Sequence, residues 1–383
     1  MKFSSLNGKN ILTSIKFFIA MPMSRLVYHG TSHWIITERY NQARDNGFIF
    51  FKYLCEKHPE CNPVYIIDKQ SADYEKIKDL GRVVQFNSWQ HFLLFCASKV
   101  HISAHVGGCS PSHSPILKHI KRKLKYQDVF IPHGVSYGIS EFCLKKYAKI
   151  NLFICSGKQE YENVLTNYGY DESEVAYTGF PRLDEWHGSK PDSKQILLMP
   201  TWRLYLAQND NTVFEETEFF KAYQSLINSK ELDEWLEKED KELIFYLHHN
   251  MKKYESFFTT YSDRIHIIRD DSEYDIQQLL KDSSMLITDY SSVHFDFAYM
   301  NKPVLYYQFD QDEFYRKQYQ KSLFNFESDG FGPICSNEND LIALIRNLSK
   351  QDKLEVKYYS RMRRFYELYD NKNCERVFNA IKK

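Results

Sequence analysis

The chain has 383 residues, 43% hydrophobic and 26% charged, a balance expected of a globular protein long enough for two domains. Lys plus Arg and Asp plus Glu each number 50, so no net field recommends a nucleic-acid partner, and any anion must be held by local clusters. Eight cysteines scattered from Cys55 to Cys374 form no C-x-x-C pair, which argues for reduced thiols in a cytoplasmic protein and against a disulfide framework or zinc ribbon.

The amino terminus is apolar from Ile11 to Tyr28, but Lys16, Pro22 and Arg25 interrupt it. A spanning helix needs about 20 mostly apolar residues, and no small-residue cleavage site follows. Residues 1–33 are therefore set apart as a segment with two readings, one lying at a membrane surface and the other a packed core helix. From about Trp34 apolar runs alternate with helical spacings. Strands are expected at "NPVYIID" from Asn62, "GRVVQF" from Gly81, "SKVHISAH" from Ser98, "QDVFIPHG" from Gln127, "INLFICSG" from Ile150 and "EVAYTGFP" from Glu174. Within this series, Pro115 to Asp128 reads as a basic amphipathic helix. Ile116, Leu117, Ile120 and Leu124 share one side, while Lys118, Lys121, Arg122 and Lys125 crowd the rest. Such a helix suits anionic lipid, a polyanionic acceptor or plain solvent.

The polar link "HGSKPDSKQ" from His187 to Gln195 divides residues 34–187 from residues 188–383. A second series follows, with strands at "ILLMPT" from Ile196, "ELIFYLHH" from Glu242, "RIHIIRD" from Arg264, "SMLITDY" from Ser284 and "PVLYYQF" from Pro303. Alternating strand and helix predicts two doubly wound α/β domains with parallel sheets, facing each other across a cleft. Ligands in such sheets bind at the carboxyl ends of the strands.

Chemistry-bearing residues gather at those ends. His133-Gly134 follow "VFIP", Thr201-Trp202-Arg203 follow "LLMP", His248-His249 follow "IFYL", and Asp289 to Ser292 follow "MLIT". Neighbouring strand residues point to opposite faces, so one of the two adjacent histidines is expected at a ligand. Ser291 and Ser292 have two readings: caps of the following helix, or hydroxyls at a phosphate seat. His101, His105, Cys109 and His113 recur every four residues, but Gly107, Gly108 and Pro111 would break a helix aligning them, so no metal site is expected.

The stretch "DIQQLLKDSSMLITDYSSVHFDFAYMNKPVLYYQFDQDEFY", Asp275 to Tyr315, resembles the signature of the CDP-glycerol glycerophosphotransferases, which prime and polymerise teichoic acids and some capsular polymers. "PHG" at Pro132, "TGFPRLD" at Thr178, "LLMPTWR" at Leu197, "YLHHN" at Tyr246, "GFGPI" at Gly330 and "CERVFNAI" at Cys374 fall in the family's order. The resemblance implies a GT-B fold, an acceptor-facing first domain and a donor-holding second one. It implies that His133 takes the acceptor proton with Gly134 on the acceptor side, and that His248 faces the diphosphate. Donor contacts are expected from Thr201, Arg203, Asp275, Asp289, Ser291 and Ser292, with Arg203 either the fixed positive charge for phosphate or one half of an ordinary surface ion pair. Asp289 would either order the phosphate loop or meet a ligand hydroxyl, and Asp275 would cap a helix or contact cytidine.

No cofactor is implied beyond the donor substrate, CDP-glycerol or CDP-ribitol. The implied acceptor is a lipid-linked saccharide or polymer at the inner face of the cell membrane, an anionic surface. Val135 stands where the family commonly has threonine after "HG", and the short chain suits addition of a few units as well as polymerisation. The competing expectation is a GT-B glycosyltransferase using a nucleotide sugar.

Overall fold

The computed structural model describes residues 8–112, 124–148, 150–188, 194–208, 213–269, 275–318 and 324–383. Thirteen short strands among these residues form two all-parallel sheets. The first contains β1 (Trp34–Thr37), β2 (Pro63–Ile67), β3 (Arg82–Gln85), β4 (Val100–Ser103), β5 (Gln127–Phe130), β6 (Leu152–Cys155) and β7 (Val175–Tyr177). Their order is β3-β2-β1-β4-β5-β6-β7. The second contains β8 (Gln195–Leu198), β9 (Glu242–Phe245), β10 (Ile265–Ile267), β11 (Met285–Thr288), β12 (Val304–Tyr307) and β13 (Ile334–Cys335), in the order β10-β9-β8-β11-β12-β13.

Every residue of β1, β2, β4, β6, β11 and β12 is buried, because helices cover both faces of each sheet and leave no solvated side to alternate against. The strand order reverses between β1 and β4 in one sheet and between β8 and β11 in the other, which opens a crevice at the carboxyl ends. The eleven strands expected from the sequence are all present. β1 and the two-residue β13 are the two strands not among them.

The amino terminus forms helix α1 (Gly8–Val27), one side of which is packed as the core-helix reading expects. Phe17, Ala20 and Ser24 are buried, and the Phe17 ring meets Phe92 and Phe95 of the helix Trp89–Ala97 at 4.8 and 5.7 Å. Leu12, Ile15, Phe18, Ile19, Met23, Leu26 and Val27 remain exposed. No helix of the described residues is long and apolar enough to cross a membrane. The expected basic helix lies outside the described residues as far as Lys123; beyond it, Leu124 and Tyr126 are buried in the first domain. The expected domain boundary falls between the two sheets, and residues 189–193 of it are likewise outside the description.

The chain does not end in the second domain. Its last helix, Asn373–Lys382, returns to the first, where the Asp184 carboxylate accepts from the backbone N–H groups of Asn373 (2.7 Å) and Cys374 (2.8 Å). Phe378 there stacks on His58 at 3.5 Å and lies 5.7 Å from Trp34. Gly179 makes this docking possible. It sits at φ +80°, and a Cβ there would fall 1.7 Å from Asn373 Oδ1.

Candidate active site

The β5 exit carries His133 toward the second domain. Asn46 Nδ2 holds the Pro132 carbonyl at 2.8 Å, and Glu160 accepts from the Ser136 and Ser156 backbone N–H groups, each at 2.6 Å, so the loop is pinned on both sides of the histidine. Burial raises the Glu160 carboxyl to about 7 against the pull of those donors. The loop meets the β11 exit directly. Tyr137 Oη donates to the Tyr290 carbonyl, and a Cβ on Gly134 would lie 2.8 Å from Ser292 Oγ. The glycine between the predicted base and the predicted phosphate seat thus lets two domains touch.

The surroundings of the two cleft histidines separate their roles. His133 opens to solvent in the cleft, yet both domains crowd it, and this desolvation lowers its pKa despite the opposing charge of Asp45. The nearby Ala104 backbone, like Asp45, favours the protonated ring without overcoming burial. A neutral imidazole carries one proton and keeps a lone pair on its other nitrogen, which can accept from an incoming hydroxyl.

At His248 a hydrogen bond fixes the tautomer. Its Nδ1 accepts from the Asn250 backbone N–H at 3.2 Å, which places the proton of the neutral ring on Nε2 as a donor. Desolvation, reinforced by His249, Arg39 and His133, lowers its pKa to about 3, so the ring is neutral at physiological pH. Trp202 lies nearly parallel to it at 5.9 Å. One imidazole is poised to accept a proton and the other to donate a hydrogen bond.

His249 also enters the cleft. Its Nε2 lies 3.4 Å from both Nη1 and Nη2 of Arg39, which follows β1 of the first domain. The opposite-faces expectation fails because β9 ends at Phe245, and the paired histidines start the tight turn beyond it, their rings 4.2 Å apart.

Arg203 requires a correction. It is fully buried, and its guanidinium donates to Asp310 Oδ2 (2.8 Å) and Oδ1 (3.0 Å), Asp289 Oδ2 (2.8 Å) and the Thr201 carbonyl (2.7 Å). Three ring systems, those of Phe219, Tyr290 and Phe314, enclose it. A guanidinium committed to two carboxylates under the floor of the cleft cannot clamp a diphosphate. Asp289 is equally buried, and of its two readings the geometry fits loop ordering. Its Oδ1 accepts from the backbone N–H groups of Thr201 (2.7 Å) and Tyr290 (2.6 Å), tying the β8 exit to the β11 exit. Thr201 Oγ1 is left buried without a partner among the described residues.

Asp275 is also spent on structure. Oδ1 caps the helix Ile276–Asp282 through the Gln277 N–H at 3.0 Å, as the capping reading expects, and Oδ2 pairs with Lys76 of the first domain at 2.7 Å. The serine pair behaves differently. Ser291 and Ser292 are half-buried, Ser292 stands at the start of the helix Val293–Tyr299 without a side-chain capping bond, and neither hydroxyl is hydrogen-bonded among the described residues. The four-residue histidine and cysteine series does not converge. His101 stacks on Tyr126 at 3.8 Å, the Cys109 thiol turns to the Ile102 carbonyl, His105 faces His133 at 5.6 Å, and His113 lies outside the described residues.

Sequence reasoning missed the contacts that join the domains. Arg182, buried within the "TGFPRLD" motif, donates to Asp45 Oδ1 of its own domain at 2.8 Å and to Asp296 Oδ1 of the other at 2.8 Å. Burial raises Asp296 to about 6 even with the guanidinium beside it. Arg39 carried no motif at all, and His105 stood out only in the four-residue histidine and cysteine series. Only their strand-exit positions could have marked them for the cleft.

Two parallel α/β domains meeting at their strand exits define the GT-B class of transferases and related nucleotide-binding enzymes. The sequence profile of the CDP-glycerol:poly(glycerophosphate) glycerophosphotransferases matches residues 20–383, and the chain belongs to that family. It is 31% identical over 379 residues to the minor teichoic acid biosynthesis protein GgaB of Bacillus subtilis (strain 168), covering 94% of this chain and 41% of that protein. It is 22% identical over 405 residues to the teichoic acid glycerol-phosphate transferase of Staphylococcus aureus (strain NCTC 8325 / PS 47), covering 97% and 96%. The chain spans less than half of GgaB, and 38% of the teichoic acid poly(ribitol-phosphate) polymerase of Bacillus spizizenii. The wall teichoic acid polymerase TagF shares the fold, with a TM-score of 0.66 at 17% identity over 99% of this chain and 98% of that one.

Proposed function

We propose that this chain transfers glycerol phosphate, or a related polyol phosphate, from its cytidine diphosphate carrier to a hydroxyl of a surface-polymer acceptor, with CMP leaving. The observation that carries this reading is the pairing of two imidazoles with lowered pKa values, His133 and His248, on facing walls of one cleft, with Nε2–H of His248 left as a donor. In the reaction the acceptor oxygen forms a bond to the β-phosphorus as the bond from that phosphorus to the bridging oxygen breaks. The acceptor proton passes to the free nitrogen of His133, and the bridging oxygen departs on CMP. His248 Nε2–H donates to a phosphate oxygen, and the unbonded hydroxyls of Ser291 and Ser292 are further donors on the same side. CDP-glycerol is the preferred donor and CDP-ribitol the alternative.

The acceptor in this reading is lipid-linked and met at the cytoplasmic face of the membrane. The exposed apolar face of α1 supports that placement, as does the charge around it. Residues 1–37 contain Lys2, Lys9, Lys16 and Arg25 and no acidic residue, a pattern complementary to anionic lipid.

CMP release from CDP-glycerol, with membranes as acceptor source, tests the reading. His133→Ala is expected to lower turnover by about 10²–10⁴-fold while CDP-glycerol still binds. Normal turnover in that variant removes the base assignment, and release of UDP or GDP from a nucleotide sugar replaces the reaction.

A further inference from the structure

With Arg203 buried beneath the cleft, the fixed positive charge that a diphosphate needs must come from elsewhere, and the candidate is Arg39. It directly follows Glu38 at the exit of β1, where the first sheet's strand order reverses. Its half-buried side chain reaches across to the second domain, both Nη atoms lying 3.4 Å from His249 Nε2. The other arginines packed near the cleft are neutralised: Arg44 by Asp73, Arg182 by Asp45 and Asp296, Arg203 by Asp289 and Asp310. Among the described residues no carboxylate pairs with Arg39. Its surroundings are imidazoles instead, and its charge helps hold His105, His133 and His248 in their neutral forms. A guanidinium stays charged at any physiological pH, so the cleft contains a permanent, partly desolvated cation without a counter-ion. Its planar fork matches two oxygens of a phosphate.

We propose that Arg39, on the acceptor-side domain, binds the diphosphate of the donor across the cleft and holds the transferred phosphate between His133 and His248. The inference rests on the phosphotransfer reading given above. The donor is chosen over an acceptor phosphate because Arg39 points at His249, whose neighbour His248 supplies the hydrogen-bond donor of the second domain. As the bridging P–O bond breaks, negative charge moves onto the departing CMP, and a cation on that oxygen side favours the transition state over the ground state.

The test uses the full chain with Arg39→Gln and Arg39→Lys. Calorimetric titration with CDP-glycerol and with inorganic pyrophosphate is combined with steady-state CMP release against each substrate and pH, and circular dichroism verifies the fold. Arg39→Gln is expected to weaken both ligands and lower kcat about 10²–10³-fold, with acceptor KM unchanged. Arg39→Lys recovers part of the binding. Loss of the nearby positive charge lets the imidazole pKa values rise, so the acid limb of the rate profile moves to higher pH, a change that a merely structural arginine would not produce. Equal pyrophosphate affinity in the wild type and Arg39→Gln, or an effect confined to acceptor KM, overturns the inference. A wild type that binds pyrophosphate through Arg39 but not CDP-glycerol overturns the donor assignment and the phosphotransfer reading while leaving the anion site in place.

Discussion

An imidazole acts as base or donor according to which nitrogen its neighbours have already claimed. At His248 that neighbour is a backbone group, the Asn250 N–H, so the assignment does not depend on other side chains. His294 shows the same chemistry used for structure. It is fully buried among Phe295, Phe324, Phe326 and Phe331, its Nδ1 lies 2.6 Å from Tyr306 Oη, and desolvation lowers its pKa to about 3. In the unfolded chain it would titrate near 6.5. Its contribution to stability is thus fully present above about pH 6.5 and is lost as the pH falls toward the folded value. His294→Phe should remove that dependence, so that the wild type loses about 2 kcal/mol more than the variant between pH 7 and 5. Urea unfolding at the two pH values measures the difference; parallel losses would mean that His294 is protonated or solvated in the native state.

At the scale of elements, the exits of β5 and β11 touch where the two domains meet. Gly134→Ala forces a methyl group to within 2.8 Å of Ser292 Oγ and is expected to destabilise the docked domains by about 1–3 kcal/mol. Adding Ser292→Ala leaves Ser292 Cβ, 3.6 Å away, as the nearest atom, and should restore most of that loss. A thermal-unfolding double-mutant cycle reads the coupling, and additive effects would show that the loops part without strain. Helix α1 gives a second prediction. Phe18 and Leu26 are 63% and 81% exposed, so Phe18→Glu with Leu26→Glu should leave the fold intact while reducing co-sedimentation with phosphatidylglycerol vesicles. Undiminished co-sedimentation would move the membrane contact away from α1.

For the molecule as a whole, the buried Arg182 bridge joins the domains beside the cleft. Removing one partner strands a buried charge, so Arg182→Ala should cost about 3–5 kcal/mol, most of it through Asp296. The loss should be smaller when Asp296→Asn is added, because no uncompensated carboxylate then remains. Urea unfolding of both variants checks this order. The carboxy-terminal helix adds a second tie by returning to Asp184 of the first domain, so the two domains are not independent beads on a linker.

The alternation of apolar runs with helical spacings was enough to read two parallel sheets, because buried strands leave continuous hydrophobic segments whose length is a local property. Strand exits were legible for the same reason, and they located His133, His248, Ser291 and Ser292. What the sequence left undecided was which charges face the cleft. Arg203, Asp289 and Asp275 occupy strand-exit or motif positions that suit ligand contact, yet the first two are joined to each other and to Asp310 beneath the floor, and the third is joined to Lys76. Arg39 sits in no motif and comes into the cleft only because β1 lies beside β4 at the reversal of the first sheet. Whether an arginine is a counter-ion or a ligand depends on carboxylates brought near it by packing. That distance exists only once the chain has folded.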